Sequence, residues 1–234
     1  MRLLASGCSF TDYYWSTWAD ILGKEFVEYD QVGQGGADNA TIARSVISNA
    51  RAGDLVVIMW SSYDRWSFYS DEVIPIPKDE NNHWRHLGSL AKWDKLFFVK
   101  YYNQIERFQT TMDYIQLIDL HSKVNNYTVY NFSAFPFFLA ETESVHKPEL
   151  TDIFNKYTLS NNYLTDISLD EFRVTNYNIL INGDDPHPTP LCNWDYVEQI
   201  IAPKLGIKLT IDNKSDIIKE QAELIKRTNK WSWK

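Results

Sequence analysis

The chain has 234 residues, the size of one large domain, and its 44% hydrophobic and 23% charged content fits a globular protein with a substantial core. A net charge of −8 excludes a general electrostatic attraction to nucleic acid or to an anionic membrane surface. Two cysteines, Cys8 and Cys192, are too few and too far apart for a disulfide framework or a zinc motif.

Met1-Arg2 runs straight into an apolar strand with no signal-peptide pattern, and no stretch approaches membrane-spanning length. A reducing, cytoplasmic location is expected, and the four Asn-x-Ser/Thr triplets are then incidental. No metal or other cofactor is expected. His83 and His86 have metal-compatible spacing but no supporting Cys or carboxylate cluster. Nine Trp, fourteen Tyr and twelve Phe are the unusual feature. Those from Trp60 to Tyr69, with Trp84 and Trp93, fall in loop-like segments. They suit either stacking on sugar rings and apolar ligands or the packing of an insertion.

In chain order, Arg2 to Ala5 reads as a short apolar strand, followed at once by the small, polar turn Ser6-Gly7-Cys8-Ser9-Phe10-Thr11. Trp15, Trp18, Ala19, Ile21 and Leu22 have helical spacing that stops at Gly23. A second strand over 26–32 delivers the chain to Gly33-Gln34-Gly35-Gly36, a loop that needs close backbone approach or positive φ. Asp38-Asn39 offers a cap for a helix with Ile42, Ala43, Val46 and Ile47 on one face. Leu55 to Trp60 is a continuous apolar run, as in a parallel strand covered on both faces. This βαβαβ order predicts a parallel sheet with right-handed crossovers, placing the strand ends at Ser9, Gly35 and Ser61 along one edge.

Pro75, Pro77 and Asn81-Asn82 mark an insertion over about 61–95. A long helix is expected over 95–123, a fourth strand over 127–132 and a short helix near 149–157. Residues 176–181 read as strand or loop. Thr189-Pro190 is a cap and first-turn pair for a helix reaching Leu205, and residues 214–228 form a last, more polar helix.

A strand-end turn is where open α/β sheets place ligands and nucleophiles. Ser9 stands in one, and Asp184 and His187 lie far along the chain in Gly183-Asp184-Asp185-Pro186-His187-Pro188. A serine hydroxyl needs a base to take its proton; histidine titrates near neutrality, and a carboxylate on its far nitrogen fixes the tautomer. Pro186 and Pro188 stiffen the loop. A backbone-capping role is the bland alternative for Ser9 and for His187. Arg65 reads either as a clamp for a substrate carboxylate or as a surface ion pair, and Cys8 as a small buried residue.

Gly7-Cys8-Ser9-Phe10-Thr11, then Gly33-Gln34-Gly35-Gly36, then Trp60-Ser61-Ser62-Tyr63-Asp64, then Asp184-Asp185-Pro186-His187-Pro188 resembles the block order of the SGNH (GDSL-type) hydrolases. The resemblance implies a flavodoxin-like three-layer α/β/α sandwich with a mainly parallel sheet, here with an aromatic-rich insertion. It also implies hydrolysis of an ester on a small molecule or glycan, without nucleic-acid or membrane partners. By the same resemblance Ser9 is the nucleophile, His187 the base and Asp184 its orienting acid. The backbone N–H groups of Ser9 and Gly36, with Gly35 as the alternative register, hold the oxyanion. Two positions depart from the family. Cys8 replaces the acidic residue before the serine, and Tyr63 or Ser62 stands where an asparagine would donate to the oxyanion. Asn39 is the substitute donor expected from the second helix, and Tyr63 and Arg65 are candidate substrate-binding residues. A module of this fold that binds glycan or protein without turnover is the alternative.

Overall fold

Among the described residues, four parallel strands form the main sheet: β1 (Arg2–Ser6), β2 (Glu28–Gln31), β3 (Leu55–Trp60) and β6 (Thr128–Ser133), in spatial order β2-β1-β3-β6. The computed structural model describes residues 1–69, 84–87, 103–136, 147–157, 162–177 and 185–231. Leu3 pairs with Leu55 and Ser6 with Ile58, so the carboxyl ends of β1 and β3 share one edge. The order is that of the first four strands of a flavodoxin-like sheet.

The alternation of side chains along each strand builds the layers. On one face Leu3, Ala5, Val57, Met59 and Phe132 pack against α1 (Trp18–Gly23), α5 (Leu169–Asn176), α6 (Pro190–Tyr196) and α8 (Ile211–Trp231). On the other face Leu4, Val56, Ile58, Trp60 and Val129 meet α2 (Asn39–Asn49), α3 (Gln104–Asn125) and α4 (Lys147–Tyr157). The result is a three-layer α/β/α sandwich, and no helix among the described residues is long and apolar enough to cross a membrane.

Several expected boundaries move. The first helix starts at Trp18 rather than Trp15, because the Thr17 N–H and Oγ1 both donate to Asp20 Oδ2 and fix its first turn there. Asn103 caps α3 by accepting from the Glu106 N–H at 3.1 Å, so that helix begins at Gln104; residues 95–102 lie outside the described ones. The stretch read as one helix from Pro190 to Leu205 contains a π turn, Val197–Ile201, before α7 (Ala202–Leu205). There the Ala202 N–H reaches back five residues to the Val197 carbonyl, and Pro203, next along, has no N–H to give. Within the expected insertion, β4 (Trp66–Tyr69) and β5 (Trp84–Leu87) pair antiparallel. Its remaining expected features, including His83 and Trp93, lie outside the described residues, as do 178–184. The short α5, opened by a Ser168/Glu171 capping box, has no counterpart in the expectations from sequence.

At the opposite end of the sheet from Ser9, Arg2 is clamped by buried Asp54. Its Nε donates to Oδ1 at 3.1 Å and its Nη2 to Oδ2 at 2.5 Å. Burial alone would raise the Asp54 pKa, but Arg2 and the Arg51 N–H outweigh it and hold the carboxyl below its ordinary range. A depressed folded-state pKa means that this stabilisation is present above the ordinary carboxylate pKa and is lost as pH falls through the lower folded value. Asp54→Ala removes one of two carboxylates on this guanidinium, Asp30 Oδ2 staying at 2.5 Å from Nη1, with an expected cost of about 1–3 kcal/mol at neutral pH. Urea unfolding checks this; an unchanged midpoint would contradict it.

Candidate active site

The turn after β1 is built by close approach. A Cβ on Gly7 would stand 2.0 Å from Thr11 Oγ1 and 2.9 Å from the Met59 carbonyl, so only glycine fits without rearrangement. The Thr11 and Asp12 N–H groups both donate to the Cys8 carbonyl, at 2.8 and 3.1 Å. This single turn leaves Ser9 half-buried and sinks Phe10 into the core. Ser9 is thus not at a helix N-terminus, and the dipole of α1, which begins nine residues later, does not act on it. The glycine loop is stitched alongside: the Val32 N–H donates to the Ala5 carbonyl at 2.9 Å and the Gln34 N–H to the Gly7 carbonyl at 3.0 Å. Gly36 adopts φ +80°, a conformation that favours glycine.

The segment from Tyr13 to Trp18 brings the far end of the chain to this turn. Trp15 Nε1 donates to the Pro188 carbonyl at 2.8 Å, and the Trp18 N–H to Asn193 Oδ1 at 3.2 Å. Tyr13 donates its hydroxyl proton to Asp185 Oδ2. Thr189 caps α6 by accepting from the Cys192 N–H, which anchors the other end of the 185–189 loop.

His187 Nε2 lies 2.8 Å from Ser9 Oγ, across 178 positions of sequence. Its Nδ1 lies 2.5 Å from Asp185 Oδ1, and its own backbone N–H donates to the same oxygen at 3.0 Å. The carboxylate on the imidazole therefore belongs to Asp185, two residues before the histidine. Asp184, the acid expected from the three-residue spacing, lies outside the described residues. The Asp-Pro-His stretch folds the Asp185 side chain back onto the backbone two residues on, the local bond that aspartate favours in turns. That bond brings the imidazole within reach of the same oxygen.

Burial acts to raise the Asp185 pKa, but hydrogen bonds from Tyr13 and His187 outweigh it and hold the group ionised below its usual range. The His187 pKa is lowered: burial is the largest cause, Asp185 opposes it, and the charges of Arg65 and Arg173 add to the lowering. Tyr13 also stacks face to face on the imidazole, 3.9 Å between ring centroids and 14° between planes, while Phe10 meets it edge-on at 5.2 Å. The imidazole is thus fixed at both nitrogens and along one face. Tyr13 carries no signal in the sequence, because it stands in the aromatic run Tyr13-Tyr14-Trp15 with no motif to mark it.

Two expected site residues serve the fold instead. Asn39 is buried, and its amide donates to the Ser61 carbonyl at 3.2 Å and to Thr111 Oγ1 at 3.0 Å. Its carbonyl oxygen accepts from the Ser61 N–H at 2.8 Å. Both amide hydrogens are committed to pinning α2 to the end of β3, which removes Asn39 as an oxyanion donor. Tyr63 is buried in the α2–α3 core layer, edge-on to Phe108, and its hydroxyl accepts from Gln104. These contacts place it in the packing of the fold. Arg65 stays near the site, with its guanidinium carbon 5.4 Å from the Phe135 ring centroid.

No family model and no curated protein matches the chain. Among solved structures, it is similar to the protein YXIM from Bacillus subtilis, with TM-score 0.39 and 10% identity, over 97% of this chain and 57% of that one. The chain therefore spans little more than half the length of that protein. It is also similar to a Bacteroides fragilis protein carrying a provisional acylhydrolase assignment, with TM-score 0.35 and 16% identity, over 97% of this chain and 87% of that one. At these TM-scores neither likeness carries an argument about chemistry.

Proposed function

We propose that the chain is a serine acyl-hydrolase of SGNH type that cleaves a small ester, with an acylated carbohydrate among its substrate classes, in the cytoplasm. The observation that carries this reading is the continuous relay from Ser9 Oγ through His187 to Asp185, at 2.8 and 2.5 Å. Ser9 Oγ attacks the ester carbonyl as its proton passes to His187 Nε2. The tetrahedral intermediate collapses when His187 returns that proton to the departing alkoxide. Water then attacks the acyl-enzyme by the reverse route, its proton going to His187 and on to Ser9 Oγ as the acid leaves. Asp185 fixes the tautomer and stabilises the imidazolium, and Tyr13 holds the second carboxylate oxygen. The N–H groups of Ser9 and Gly36 are the oxyanion donors in this reading.

The test is turnover of short-chain para-nitrophenyl esters. Hydrolysis lost in Ser9→Ala supports the reading; no turnover by the native chain, or turnover that survives in Ser9→Ala, overturns it. The base works only as neutral imidazole, which is lost as pH falls through its pKa. Because that pKa is lowered from 6.5, kcat/KM is expected to hold at neutral pH and decline with a midpoint below 6.5. An acid limb centred above that value would contradict the assignment of His187 as a buried base.

The committed Asn39 amide and the buried Tyr63 favour a second reading, a non-hydrolysing module that binds glycan or a protein partner. Without a side-chain oxyanion donor the rate is reduced by about a hundred- to a thousandfold. Retention of an acylated glycan without release of its acid is the result that would favour this module.

A further inference from the structure

We infer that Arg65 recognises an anionic group on the substrate, and that the ester taken by this site carries a carboxylate. The inference rests on the hydrolase reading for the word ester, but the anion site itself rests on Arg65 and its surroundings.

Arg65 follows the end of β3, on the sheet edge that carries the Ser9 turn. A chain of ring contacts joins it to the relay. Its guanidinium carbon is 5.4 Å from the Phe135 ring centroid, Phe135 is 4.9 Å from Phe10, and Phe10 is 5.2 Å from His187. Its charge is felt at the imidazole, where it works against protonation.

Yet among the described residues Arg65 has no counter-ion. Its Nη1 is buried without a hydrogen-bond partner, and among the described residues no carboxylate pairs with it. The obvious neutraliser is its chain neighbour Asp64, but Asp64 Oδ1 is itself buried and unpartnered, so the two do not satisfy each other. The cation–π contact with Phe135 does not supply a hydrogen-bond acceptor for Nη1. A second cation, Arg107, lies beside it. Arg107 donates from Nη2 to the Arg65 carbonyl at 2.7 Å, lies over Trp66 at 4.9 Å, and has its own Nε buried without a partner.

A half-buried cation with an orphaned donor is costly in a fold that has no need of it, and such costs gather at functional sites. Guanidinium edges match carboxylate geometry better than any other side chain does. A ligand carboxylate would satisfy the orphaned donor and offset the local positive charge.

Binding and turnover are read separately. In Ser9→Ala protein, monomethyl glutarate and the neutral, similarly sized methyl valerate are titrated by NMR. The charged ester is expected to bind about ten- to a hundredfold more tightly, the worth of a hydrogen bond to a charged group. That advantage disappears in Ser9→Ala/Arg65→Met and returns in part with Arg65→Lys, each variant being checked by its thermal melt. Equal binding of the two esters, or an advantage that survives in a folded Arg65→Met variant, overturns the proposal. If Arg65→Met does not fold, Arg65→Lys decides on the same criterion, an undiminished advantage overturning it. The Ser9 enzyme is then assayed on para-nitrophenyl glutarate and para-nitrophenyl valerate. Arg65-dependent binding with no turnover of either ester leaves the anion site standing and removes the hydrolase reading. Turnover of both with equal kcat/KM removes the anion site and leaves the hydrolase.

Discussion

Ser9→Ala lowers kcat on an ester substrate by about six orders of magnitude, the scale seen when the nucleophile of a serine relay is removed. The neighbouring thiol cannot replace it. Cys8 is the adjacent thiol, but it is fully buried behind the turn, on the core side of β1. Water activated by His187 remains as the residual route, and it lacks the covalent step that divides the barrier. The measurement is kcat for short-chain nitrophenyl esters, with the circular dichroism melt as control. Ser9 is half-buried at the sheet edge and makes its hydrogen bond to His187, so truncating it leaves the core intact. A loss of only a few-fold would move the chemistry elsewhere.

Asp185→Asn lowers kcat by about four orders of magnitude, because an amide facing Nδ1 favours the wrong imidazole tautomer and no longer stabilises the imidazolium. Asp184→Asn leaves kcat near that of the native chain. The contrast follows from Asp185 Oδ1 holding both the ring nitrogen and the backbone N–H of His187, while its other oxygen takes the Tyr13 hydroxyl. Measuring kcat for the two variants side by side decides the assignment. The reverse ranking would restore the acid expected from sequence spacing.

That pair of residues shows where the sequence stopped being readable. The apolar run at Leu55 to Trp60 and the interleaved strands and helices marked a parallel sheet, because burial on both faces leaves an unbroken signature in composition. Ser9 and His187 were legible from a strand-end turn and a proline-stiffened loop, and the structure puts them in hydrogen-bond contact. In the doublet Asp184-Asp185, however, the choice of acid depends on how the side chain folds back on the backbone, which spacing alone does not encode. Asn39 misled for a similar reason. Its place at the start of a helix beside the glycine loop suggested an oxyanion donor, but the end of β3 presents the Ser61 N–H and carbonyl to it, and Thr111 takes its remaining amide hydrogen. Tyr63 drew notice because it stands where the resembled family has an asparagine, and the packing of α3 buries it. Tyr13 needed the contact itself: a ring stacked on His187 with its hydroxyl on Asp185 joins residues more than 170 positions apart.

The most direct test of the relay is covalent labelling with a fluorophosphonate probe, mapped by peptide mass spectrometry. A serine primed by His187 and Asp185 gives one adduct, on Ser9, that is absent in Ser9→Ala and forms far more slowly in Asp185→Asn. An unlabelled native chain, an adduct on another residue, or labelling that persists in Ser9→Ala would contradict the account.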